Sequence, residues 1–151
     1  MRTLGNILWH FPFLGFVNAI VVYICGLILT VTVVAAPIGL GLMEFGKFLF
    51  APYSRAMVSR SDLKTDQNGL WQAYSTLIMI LYLPLGVLLS LMALVQVVGL
   101  LLSLVGIPVA LVVAKSIGTY FNPVNKVCVP QAVADEIERR KNQAVIDRHL
   151  G

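Results

Sequence analysis

Three charged side chains stand where charge is expensive. Glu44, Lys47 and Lys115 lie inside otherwise apolar segments, with Ser116 and Thr119 beside Lys115. Holding a charge at the centre of hydrocarbon costs at least ~2.5 kcal/mol. Such groups are therefore either used or neutralised. In one reading they line a polar path for ions or small solutes. In the other they are structural: Lys47 and Lys115 extend their stems so that the ammonium groups reach the headgroups, and Lys47 neutralises Glu44 at i,i+3. Other chemistries lack their parts. There is no Ser-His-Asp set, no phosphate loop and no acidic pair in a soluble pocket. His10 and His149 are isolated, so no metal site is expected, and Cys25 and Cys128 form no C-x-x-C motif. The expectation is a protein that is not an enzyme and has no cofactor.

The surroundings of those charges define the class. Of 151 residues, 58% are hydrophobic and only 12% charged, about half the charged share of a soluble domain. No Asp, Glu, Lys or Arg occurs between Arg2 and Glu44, or between Asp66 and Lys115. A bilayer core needs roughly 20 apolar helical residues to cross it, and each run is about twice that. The apolar stretch from Leu4 to Ala36 is too long for the core of a signal peptide. A cleavage site at Val34-Ala35-Ala36 is disfavoured by Pro37. The N-terminus is expected to stay as an anchor.

Sliding the chain on itself by 71 residues reveals an internal match. Pro37 meets Pro108, Pro52 meets Pro123, Leu14-Gly15 meets Leu85-Gly86, and Arg55 meets Lys126. Glu44 meets Lys115, each eight residues before its closing proline. Around a pseudo-twofold axis these opposite charges would lie at one depth and could pair. The prolines are read as the hinges of each half: Pro37 and Pro108 kink or break the helix, and Pro52 and Pro123 mark the exit.

Two layouts fit each half. One is a helical hairpin, with legs at about 4–24 and 27–50, then 75–95 and 98–121. The other is a single long crossing helix, about 13–36 and 84–107, followed by a short leg of ~22 Å after the proline. Arg55, Arg60 and Lys64 lie in the middle segment, and Lys126, Arg139, Arg140, Lys141 and Arg148 in the tail. The positive-inside rule then places the N-terminus, middle loop and C-terminus in the cytoplasm, with the repeats parallel. The fold class expected is an all-α membrane protein. It has two tandem parallel repeats, each a proline-kinked or re-entrant transmembrane helical hairpin, and a C-terminal cytoplasmic helix. The divisions are 1–71, 72–129 and 130–151.

Gly106, Ala110, Ala114 and Gly118 recur every four residues, a face on which a helix can approach the other half or another subunit closely. Trp9, Tyr53, Trp71 and Tyr74 sit near the ends of apolar runs, as lipid-anchoring rings do. From Pro130 onward a helix is expected, with Asp135–Arg139 and Glu136–Arg140 in the favourable order and a thin apolar stripe of Val133, Ile137 and Ala144. Bases interleaved with Asp62 and Asp66 argue against nucleic acid despite a net charge of +4.

The sequence resembles the YccF family of small bacterial inner-membrane proteins. The resemblance begins at Arg2-Thr3 and Asn6-Ile7-Leu8. It continues through Pro37-Ile38-Gly39, Glu44, Lys47 and Pro52-Tyr53, and resumes at Gly106-Ile107-Pro108, Lys115 and Pro123. The family pattern carries glycine two residues after these prolines. This chain keeps it at Gly39 but has Ser54, Ala110 and Asn125 elsewhere, which puts tight backbone turns there in doubt. The resemblance implies a duplicated membrane domain in the bacterial inner membrane and no activity. The functions left are an oligomeric channel or permeation pathway, which needs several copies because four short helices cannot enclose a pore, and a membrane scaffold binding a protein partner through loop and tail.

Overall fold

A computed structural model describes residues 2–11, 13–63 and 66–151; Lys64, one of the expected loop bases, lies outside them. The chain is mostly helical. α1 (Arg2–His10) meets α2 (Gly15–Val31) at 80°. A short turn leads to α3 (Ala36–Phe50), and a strand β1 (Arg55–Ser59) follows. After a 3-10 turn come α4 (Gly69–Leu101), α5 (Ile107–Phe121), β2 (Lys126–Pro130) and α6 (Gln131–Leu150).

Proline sets the helix starts. Pro37 and Pro108 occupy the first turns of α3 and α5, where the missing N–H is one the helix cannot use anyway. They begin new helices rather than kink continuing ones; α2 ends at Val31 and α4 runs from Gly69 to Leu101, bounds that neither layout expected from the sequence gives. Pro52 and Pro123 are fully buried just past the ends of α3 and α5. Pro84 lies inside α4. Adding 71 to the bounds of α3 gives those of α5, and adding 71 to β1 gives β2.

The strands correct the all-α expectation. β1 and β2 pair antiparallel, Arg55 opposite Pro130 and Ser59 opposite Lys126, with Met57–Cys128 at the centre. The pairing joins the two ends of the chain's apolar segments, so neither five-residue stretch betrays it alone. Asn125 adopts φ 57°, a left-handed conformation that Asn tolerates better than most residues.

α2 and α3 pack antiparallel at very close range. A methyl on Gly26 would stand 2.7 Å from Met43 N, and one on Gly39 2.5 Å from Thr30 N. Gly46 lies against Tyr23 in the same seam. The close-packing face is therefore here. The four-residue stripe on α5 divides: Gly106 and Ala110 are buried, while Ala114 and Gly118 are exposed, with open space at Gly118.

Outside this seam the helices carry apolar side chains outward. Leu81, Leu88, Leu91, Met92 and Val95 of α4 are all more than half exposed. Gly69–Leu101 and Leu104–Phe121 are long and apolar enough to cross a membrane, and α1 with α2 would make a third span if counted as one. An apolar surface this continuous suits a hydrocarbon solvent.

Gly39→Val should lower stability by about 1–3 kcal/mol through overpacking of the seam, whereas Gly118→Ala should be neutral or stabilising by up to about 1 kcal/mol. Thermal unfolding of the detergent-purified variants distinguishes the two. Equal effects would contradict the assignment of the seam.

Candidate functional site at the ribbon junction

α3 and α5 each end in a buried proline and then turn into the two-stranded ribbon. The turn leaves backbone amides and carbonyls beside apolar helices, where an unsatisfied group is costly. The charged residues singled out in the sequence meet that need. Glu44 accepts the Cys128 N–H on Oε2 at 3.0 Å. Its other oxygen is paired with Lys47. Lys115 Nζ donates to the Pro52 carbonyl at 3.0 Å and to Gln131 Oε1 at 3.0 Å.

Glu44 and Lys115 therefore do not pair with one another. Each reaches the backbone that follows the helix of the other half, and its charge matches what it finds there. A carboxylate, an acceptor only, takes an N–H; an ammonium, a donor only, takes a carbonyl. Both bonds are charge-assisted. The i,i+3 pairing of Glu44 with Lys47 is present as expected.

Ser116 and Thr119 do not extend this cluster. Ser116 is buried and donates to Val112 O at 2.7 Å. Thr119 is also buried, and its hydroxyl has no partner among the described residues.

Two aromatic rings expected at the headgroups are structural instead. Trp9 is 5% exposed and donates from Nε1 to Leu49 O at 2.8 Å. Tyr53 donates to Pro108 O at 2.6 Å, and its amide N–H is accepted by Asn6 Oδ1. Asn6 also donates to Ser54. α1 is thereby tied to the chain just after Pro52. The visible signal is a single Asn among the apolar residues that follow Arg2. Tyr82 makes a bond comparable to that of Trp9 in the second half, donating to Tyr120 O; its sequence context gave no such hint. Tyr74 donates to Val34 O at 2.7 Å and to Val33 O at 3.2 Å. It thus satisfies the turn in which Val33 holds a left-handed φ of 60°.

On the ribbon, burial pushes the Cys128 thiol above its usual value, although Arg55 lies 3.9 Å from the sulfur and pulls the other way. Burial likewise lowers the Lys126 ammonium, with Asp62 opposing. α6 docks beside the ribbon through Lys141–Asp62 at 2.8 Å. The Glu136–Arg140 pair forms, with Arg139 joining it, and these two bases hold the Glu136 carboxyl at about 2. The expected Asp135–Arg139 pair does not form: Asp135 accepts from Gln131 and faces Arg2 at 3.9 Å.

Residues 4–55 match the YccF family, described as an inner membrane component domain. No curated protein and no solved structure matches the chain.

Removing either tie should destabilise the junction. Lys115→Met and Glu44→Leu should each cost about 1 kcal/mol by leaving a partly buried backbone group unpaired, and Glu44→Gln, which keeps an acceptor, should cost less. Unfolding curves that place both apolar variants within experimental error of the parent would refute the assignment. The raised thiol predicts that, in a Cys25→Ser background, Cys128 reacts with a maleimide at pH 8 more slowly than a free thiol does. Arg55→Met should slow it further, because the guanidinium favours the thiolate.

Proposed function

We propose that this protein, which carries a YccF inner membrane component domain over residues 4–55, is a membrane scaffold whose ribbon and C-terminal helix present a docking platform to a protein partner. One observation carries this reading: Glu44 and Lys115 are both engaged with backbone across the junction rather than lining an open polar route. Their charges then serve to hold the two halves together beneath the platform.

Residues 72–129 are, in this reading, a second copy of the same membrane unit. The coincidence of α3 with α5 and β1 with β2 at one offset supports it, as does the ribbon register centred on Met57–Cys128. Each half enters and leaves on one side, as parallel hairpins. Arg55, Arg60, Lys126 and the bases of α6 favour the cytoplasmic face for the ribbon, both termini and the middle loop.

A channel formed by several copies is the second reading. It draws on Ala114 and Gly118, small and exposed on α5, as a place for another subunit.

The two readings part in liposomes and in pull-downs. The scaffold reading expects flux equal to that of empty liposomes over a panel of ions and small solutes. It also expects a partner that co-purifies with the full chain and is lost on deletion of 131–151, while the helical signal of the membrane part persists. Flux that responds to Glu44→Gln or Lys115→Met would overturn it in favour of the channel.

A further inference from the structure

A cleft of ≈ 490 Å³ lies between the helices of the two halves. Ile38, Leu42, Phe45 and Leu49 form one wall. Their spacing of four, three and four residues is a single face of α3, about 16 Å long. Leu85 and Leu89 of α4 stand on the other wall. The volume falls within the range of pockets that hold small ligands, and the lining is mostly hydrocarbon.

Four residues of the lining carry polar groups, Asn18, Tyr82, Tyr120 and Thr119, and one of them is buried without a partner. Thr119 also lines the cleft, is 3% exposed, and has a hydroxyl with no partner among the described residues. Ser116, one turn earlier on the same helix, satisfies its own hydroxyl on Val112 O at 2.7 Å. Thr119 Oγ1 makes no such bond. A buried hydroxyl left unmade costs about 1–3 kcal/mol, and an apolar cleft does not hold water for it. An occupant of the cleft that carries an acceptor would supply the missing partner. The occupant must therefore be a long apolar chain with a hydrogen-bond acceptor at one end.

The surroundings supply one such molecule. The cleft opens among side chains that face hydrocarbon, so the chains bathing it are the acyl chains of phospholipids. These carry an ester carbonyl where the chain joins glycerol. Thr119 lies two residues before the end of α5 at Phe121, about 3 Å along the axis, at the end from which the chain enters the ribbon. Ile38 lies at the opposite end of the α3 wall, near that helix's start. The order of polar and apolar groups along the cleft is thus that of an ester followed by its acyl chain.

We propose that the cleft binds one acyl chain of a membrane phospholipid, its ester carbonyl accepting a hydrogen bond from Thr119 Oγ1. The site does not depend on the scaffold reading: loss of every protein partner would leave it unchanged, and lipid binding can fail while partner capture persists.

The test uses the full chain in vesicles of phosphatidylethanolamine and phosphatidylglycerol, with a trace of phosphatidylglycerol bearing a diazirine midway along one acyl chain. After illumination, labelled residues are mapped by mass spectrometry. The label should concentrate on Leu42, Phe45, Leu85 and Leu89 over the outward-facing Leu81, Leu88 and Leu91. Leu42→Trp, which fills the cleft, should abolish that enrichment. Thr119→Val, which keeps shape and removes only the hydroxyl, should reduce it roughly fivefold with an unchanged circular dichroism spectrum. Even labelling of the whole apolar surface would overturn the proposal. So would unaltered labelling of Thr119→Val, or cross-links from the cleft to a second copy of the chain, which would make it a helix-docking face.

Discussion

Beside hydrocarbon, every backbone amide and carbonyl needs a partner, and the rest of this structure follows from how that need is met where two helices stop. A helix satisfies its own interior groups but not its last carbonyls, and the prolines at 52 and 123 cannot donate. The chain meets the demand in two ways. β1 and β2 pair with one another, while Glu44 accepts the Cys128 N–H on β2 and Lys115 donates to the Pro52 carbonyl before β1. An ionised side chain that would be costly alone becomes favourable when it supplies a charge-assisted bond to a group otherwise stranded. Because each tie crosses from one half to the other, the same bonds fix how the halves sit together.

This accounts for which parts of the fold were legible in the sequence. The apolar runs, the prolines that open α3 and α5, and the C-terminal helix all depend on local pattern, and a local pattern is visible in one dimension. The offset that relates Pro37 to Pro108 also anticipates the matching bounds of α3 and α5. The ribbon was not legible, because Arg55–Ser59 and Lys126–Pro130 are too short to read as strands and each finds its partner across the chain.

The candidate site was half legible. Glu44 and Lys115 announce themselves as charges in apolar surroundings, but their symmetry suggested a pair and concealed the backbone groups that are their true partners. The seam between α2 and α3 was missed for a related reason. Four-residue spacing drew attention to α5, while Ala19 with Gly26 and Gly39 with Gly46 recur at seven, and these are the small residues buried in the contact. Trp9 and Tyr53 look like headgroup anchors by position. Only the fold reveals that the carbonyls of Leu49 and Pro108 lie within reach of them.

The pairing of β1 with β2 also sets an order of events during synthesis. β1 is complete at Ser59, but its partner ends at Pro130, 71 residues later. At roughly 5–20 residues per second, the strand's edge is exposed for about 4–14 s before its own partner leaves the ribosome. An open strand edge pairs with whatever strand comes first. A neighbouring nascent copy offers the same Arg55–Ser59 segment, so crowded translation of this message puts the intramolecular ribbon in competition with an intermolecular one.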